Sequence, residues 1–177
     1  MTVSVYSQPD FHGAIQGLNN GDFSRLEPLF VSDRSQGQPC PIIQWHQEGL
    51  FQNQSKALSE ALTCACFLGR TDVAEYLLRQ GVDPSGGAST GLNAFHWAVN
   101  RGQLEATRLL IRWNAPLTPR TMYGGNVLET AVWSAIHEPR GEQLPVIEEL
   151  LKAGARLDGQ HYPTGNEQVD SILRRYQ

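Results

Sequence analysis

The sequence predicts an all-α fold, a solenoid of about four stacked helix pairs closed by a C-terminal half-unit. Three observations predict it. Gly69 and Gly102 are 33 residues apart (102 − 69), as are Asn93 and Asn126 (126 − 93), a period that fits one helix–turn–helix unit. Within a period, apolar residues recur at three- and four-residue spacing, as in Val73, Tyr76 and Leu77, the pattern of a helix with one buried stripe. Periods also end alike, on Gly81, Asn114 and Gly154, residue types that accept the left-handed backbone of a helix stop.

Taken in order, Met1–Asp10 carries no pattern and reads as a flexible lead-in or an edge segment. Residues 11–31 form a degenerate first unit, with Gly21 at its turn and Leu26, Leu29 and Phe30 at helical spacing. Pro28 lies too far into that second helix to be neutral: it removes a backbone donor and kinks the helix, or the helix begins later. Residues 32–54 break the period, because Gly21 to Gly69 is 48 residues (69 − 21), 15 more than one repeat. This insertion, rich in Gln, Pro and Ser, still contains Ile42, Ile43, Trp45, Leu50 and Phe51. Such residues do not stay in water together, so the segment folds back onto the repeats or meets a partner.

Three units follow, at 55–87, 88–120 and 121–159. Asn93 and Asn126 stand where a helix start needs a side-chain acceptor for its unpaired N–H groups. Glu129, three residues after Asn126, adds the second half of a capping box. In the fourth unit the distance from Asn114 to Gly154 is 40 (154 − 114), seven more than one repeat, and the extra residues fall within Ile136–Pro145. They add His137, Glu138, Arg140 and Glu142 to one edge, and Pro145 starts the second helix. Residues 160–177 read as the C-terminal cap, with Val169, Ile172, Leu173 and Tyr176 inside and Glu167, Asp170, Arg174 and Arg175 outside. Ala65, Ala98 and Ala131 recur where first helices approach, and Leu77, Leu110 and Leu150 where second helices meet.

The period, the helix stops and Asn93-Ala94-Phe95-His96, which stands where a Thr-Pro-Leu-His motif would, resemble the ankyrin repeat family. The motif has eroded: Asn126-Val127-Leu128-Glu129 lacks the histidine, and Glu60-Ala61-Leu62-Thr63 keeps only the leucine. The resemblance covers residues 11–177 and is specific from Ser55 to Ala155. It implies a structural, hydrogen-bonding role for His96 and a non-catalytic function in protein binding through the concave face and the inter-repeat turns.

Composition narrows the function further. The 177 residues, 40% hydrophobic, suffice for one domain with a sizeable core. A formal charge of −4 argues against a nucleic-acid partner, which needs a basic face. No apolar run reaches the roughly 18 to 20 residues that span a bilayer, and the N-terminus does not read as a signal peptide. The expectation is a cytoplasmic protein without a membrane partner, a monomer or weak homodimer. Cys40, Cys64 and Cys66 show no C-x-x-C spacing, so neither a disulfide framework nor a metal site is expected. Cys64 and Cys66 read as buried small hydrophobes. No nucleophile motif or phosphate loop is present, no cofactor is expected, and Gly86-Gly87 and Gly124-Gly125 read as turn residues.

Carried over position by position, the family's concave face implies helix sites at Phe67 and Leu68, Asn100 and Arg101, and Trp133 and Ser134. Its turn tips fall at Lys56 and Ala57, Ser89 and Thr90, and Met122 and Tyr123, with Leu92 further along. Phe67, Leu68, Leu92, Met122, Tyr123 and Trp133 make an apolar strip around Asn100 and Arg101, the aromatic-plus-arginine mixture of interface hot spots. Either this groove is open or the insertion covers it with Trp45 or Phe51. A small acidic array of this kind suits an inhibitor or immunity-type partner that masks another protein. The alternative is an enzyme or small-ligand-binding protein with a pocket under residues 32–54. Trp97 is expected to be semi-buried, and Trp113 to meet solvent on the outer face.

Overall fold

The computed structural model describes residues 10–33, 35–157 and 162–177, so the lead-in before Asp10, and His161 in the cap, lie outside the described residues. Two rows of helices run through it. The inner row is α1 (Phe11–Asn20), α3 (Ser55–Leu68), α5 (Ala94–Asn100) and α7 (Val127–His137), each packed on the next. The outer row is a 3-10 helix (Phe23–Phe30), then α4 (Thr71–Arg79), α6 (Leu104–Arg112) and α8 (Gln143–Lys152). Helix α2 (Pro41–Gln47) lies in the insertion, and α9 (Glu167–Arg174) closes the stack against α8. Among the described residues the regular structure is helical, and no helix is long and apolar enough to cross a membrane.

The seams follow the residues the period picks out. Ala65, Ala98 and Ala131 on the inner row are fully buried, as are Leu77, Leu110 and Leu150 on the outer row. A methyl side chain at the first position lets backbones approach, while leucine fills the wider gap at the second. Gly81 (φ 84°), Asn114 (φ 52°) and Gly154 (φ 92°) all adopt the left-handed stop.

Helix starts use the expected acceptors and add a second layer. The Asn126 Oδ1 accepts from the Glu129 N–H at 2.9 Å, while the Glu129 carboxylate accepts from the Asn126 N–H at 2.7 Å. At α5 the partner is His96: its N–H donates to Asn93 Oδ1 at 3.1 Å, and its Nδ1 accepts from the Asn93 N–H at 3.3 Å. That fixes the proton on Nε2, which donates to the Pro119 carbonyl at 2.9 Å.

Five expectations are corrected. The second half of the first unit is a 3-10 helix containing Pro28, because the proline ring and its missing N–H are incompatible with an α-helical interior. Helix α3 begins at Ser55, so Lys56 and Ala57 lie in its first turn rather than on a tip, and Ala57 is buried. Glu60 is then interior to the helix, and its carboxylate accepts the Ser89 N–H at 2.9 Å from the following turn. Helix α8 starts at Gln143, two residues before Pro145, which still occupies the first turn. In the cap, Asp170 is buried rather than outside, accepting from the Thr164 N–H and hydroxyl at 2.8 Å each, while Tyr176 is left exposed at the edge.

The insertion packs against the N-terminal end and the outer row. Cys40, Ile42 and Phe51 are buried, and the Phe11 ring contacts Trp45 (5.3 Å) and Phe51 (5.2 Å) edge-on. His46 Nδ1 reaches the Tyr76 hydroxyl on α4 at 2.8 Å.

Leu110→Ala is expected to cost about 2–5 kcal/mol, measured by urea unfolding, since the side chain is fully buried between outer helices. Burial holds the His96 imidazole below its ordinary value, with the Pro119 hydrogen bond opposing. The unfolded chain therefore protonates first, so this stability is complete above about pH 6.5 and is lost as pH falls through the lower folded value. His96→Gln should flatten that part of the stability–pH profile.

Candidate functional site

The concave face divides into two halves. In the N-terminal half the aromatic side chains cover one another. Phe67 on α3 meets Trp97 on α5 at 5.0 Å between centroids and Phe23 at 5.7 Å, both edge-on. Trp97 is half-buried as expected, and its indole N–H donates to the Thr90 hydroxyl at 2.9 Å, tying the helix to the preceding tip. The Arg101 guanidinium lies over the Phe67 ring, 4.7 Å from its centroid, a cation–π arrangement. Leu68 is partly buried against the core. Leu92 departs from its expected place on the strip: it is buried at 9% exposure, because it enters α5 beneath the tip rather than on it.

The C-terminal half is left open. Met122, Tyr123 and Trp133 are 69%, 83% and 49% exposed, values high enough to make them surface rather than core. Met122 and Tyr123 sit on the turn before α7, and the Met122 N–H donates to the Gly91 carbonyl at 3.0 Å, pairing this tip with its neighbour. The Met122 side chain lies over Gly91, whose φ of 82° is what favours glycine there. Trp133 is the seventh residue of α7, and the His137 ring packs against it at 5.1 Å.

Between the halves lies a polar joint. Asn100 Nδ2 donates to the buried Ser134 hydroxyl at 2.9 Å, and Gln143 Nε2 donates to the Asn100 carbonyl at 2.9 Å. The 138–142 loop is anchored here as well, through the Glu142 N–H to the Gly102 carbonyl at 3.1 Å. The seven extra residues of the fourth unit thus lengthen α7 and raise a wall at the far end of the groove from the tips, bringing Glu138 and Arg140 toward Arg101.

Neither Trp45 nor Phe51 covers the strip, since both rings pack on Phe11. The space beneath the insertion is filled by Cys40, Ile42 and Phe51. A depression lined by Gln38, Pro39, Gln44, Gln47 and Glu48 lies on the insertion itself and is open and polar. The three cysteines are free and buried; burial pushes the Cys66 thiol up to about 12 and raises Cys40 and Cys64, which suppresses the reactive thiolate. Among the described residues no group of three His, Cys, Asp or Glu is placed to hold a metal ion.

A family model described as ankyrin repeats, three copies, matches residues 35–121 and 64–161. The chain belongs to the ankyrin repeat family. Among solved structures it is similar to an ankyrin repeat domain from Acinetobacter baumannii AYE, with a TM-score of 0.58 and 17% identity, covering 94% of this chain and 98% of that one. At that identity the likeness concerns the fold. No curated protein matches the chain. Ankyrin repeats are generally protein–protein interaction modules, and the fold is typically a non-catalytic scaffold.

Buried Phe23 underlies the concave surface, and Trp97 and His137 join it, although the expected strip contained none of the three. Two of them had a signal in the sequence: Trp97 and Arg101, and Trp133 and His137, are four residues apart and share a helical face. Phe67→Ala should lower stability by about 2 kcal/mol or more in thermal unfolding, because its ring closes the cluster with Phe23 and Trp97.

Proposed function

We propose that this ankyrin array binds a partner protein through the C-terminal half of its concave face, with Trp133 as the anchor and Met122 and Tyr123 as the flanking contacts. The observation that carries this reading is the exposure of these three large side chains on a groove whose other half has closed its aromatics upon themselves. Exposed tryptophan and tyrosine are residue types enriched in interface hot spots. The polar joint at Asn100 and Ser134 supports the same reading, because it fixes α5 against α7 and pre-organises the surface.

Size and acidic charge support a masking role, in which the groove covers a site on the partner. The three free cysteines support a reducing, cytoplasmic setting.

Affinity capture with the wild-type chain, compared with Trp133→Ala and Tyr123→Ala, tests the reading. Both substitutions should remove the captured partner while shifting the unfolding midpoint by no more than surface substitutions do, about 0.5 kcal/mol. A large stability loss in Trp133→Ala would make the residue core and sink the proposal.

A further inference from the structure

Arg101 differs from the other arginines of the structure. Arg70, Arg108, Arg120 and Arg140 each have a carboxylate partner, on Glu27, Glu105, Glu129 and Glu138 respectively. Arg25, Arg112 and Arg156 have none but are exposed, so water solvates them. Among the described residues Arg101 alone combines partial burial with a guanidinium that no protein carboxylate or hydrogen-bond acceptor engages. Phe67 engages the face of the cation at 4.7 Å, which leaves the in-plane N–H fork unused.

The surroundings add to the demand for an anion. Arg140 contributes a like charge that Glu138 only partly offsets, since Glu138 is itself paired with Arg140 at 3.1 Å. Burial, followed by Arg140, lowers the Arg101 value from its ordinary one. A partly buried cation with no protein carboxylate paired to it is where a matching carboxylate adds a charge-assisted hydrogen bond on binding.

We propose that Arg101 receives an Asp or Glu side chain of the partner, so that the occupant of the groove is an acidic–apolar segment with its carboxylate on Arg101 and a large apolar residue against Trp133. This rests on the groove reading above. Arg101 follows α5 directly and Trp133 lies on the adjacent α7. Neighbouring helices are about 8–10 Å apart, which an extended segment crosses in about three residues. The acidic and apolar residues of the segment are therefore two to four positions apart, by that same rough spacing.

The test is selection of a displayed library of random 12-residue peptides on the full chain, then anisotropy titration of synthetic copies of the enriched peptides. Enriched peptides should carry Asp or Glu at that spacing from an aromatic or aliphatic residue. Arg101→Met keeps the stem on Phe67 and should weaken binding about tenfold or more, as should Asp→Asn in the peptide, with the two losses not adding. Arg101→Lys, which keeps charge without the fork, should fall between, and Arg101→Gln guards against misfolding of the Met variant.

Peptides that need Trp133 but bind Arg101→Met as tightly as wild type overturn the carboxylate inference and leave the groove reading standing. Absence of any Trp133-dependent peptide overturns both. A phosphoserine form that outbinds the Asp form, or self-association of the chain through the groove in place of peptide capture, also overturns this inference.

Discussion

Close approach of consecutive inner helices at Ala65, Ala98 and Ala131 is the constraint on which the rest depends. A helix pair of this length cannot bury both its faces, so each is stable only against the next. With a methyl group at each contact, inner helices sit nearer to one another than outer helices, whose gap is filled by Leu77, Leu110 and Leu150. That asymmetry of side-chain size is what makes one side of the stack concave and presents the residues just before each inter-helix turn to it.

The inner helices α3, α5 and α7 also hold the turns that follow their units, by different chemistry in each case. On α3 the Thr63 hydroxyl donates to the Gly87 carbonyl at 2.9 Å, and the Glu60 carboxylate takes the Ser89 N–H. On α5 the donor is His96 to Pro119, and at the start of α7 Asn126 Nδ2 donates to the Arg156 carbonyl at 3.1 Å. An eroded motif is tolerated because the requirement is a polar group in reach of a buried carbonyl or amide, which several residue types meet. Gly87 matters for the same contact: a side chain there would lie 2.4 Å from the Ser59 carbonyl.

The two halves of the groove follow from local lengths. At the N-terminal end the first unit contracts to a 3-10 helix at Pro28, and Phe23 reaches the cluster of Phe67 and Trp97, so those aromatics are used in packing. At the C-terminal end α7 runs on to His137 and its loop returns to Gly102, which builds a wall without covering Trp133. Arg101 lies at the boundary, held by Phe67 on one side and facing the 138–142 loop on the other.

The period, the left-handed stops at Gly81, Asn114 and Gly154, and the Asn93 and Asn126 caps were legible from the sequence, because each depends on local backbone chemistry repeated at fixed spacing. The row that contains Phe67, Asn100 and Trp133 came from the family resemblance, with the period supplying only the equivalence of the three positions. What periodicity could not carry was exposure, since equivalent positions acquire different neighbours where the repeat is broken. Leu92 went under its tip, Phe67 was half-covered by Phe23, and Asp170 turned inward to hold Thr164. The 32–54 insertion supplied apolar residues whose destination no local rule specifies; only the assembled surface of Phe11 and Tyr76 decided that it packs outside the groove. The repeating frame could be read from residue order alone, because backbone geometry and helix periodicity are local. Which parts of the concave face stay exposed depends on the folded packing, because burial is set by what lies across the gap.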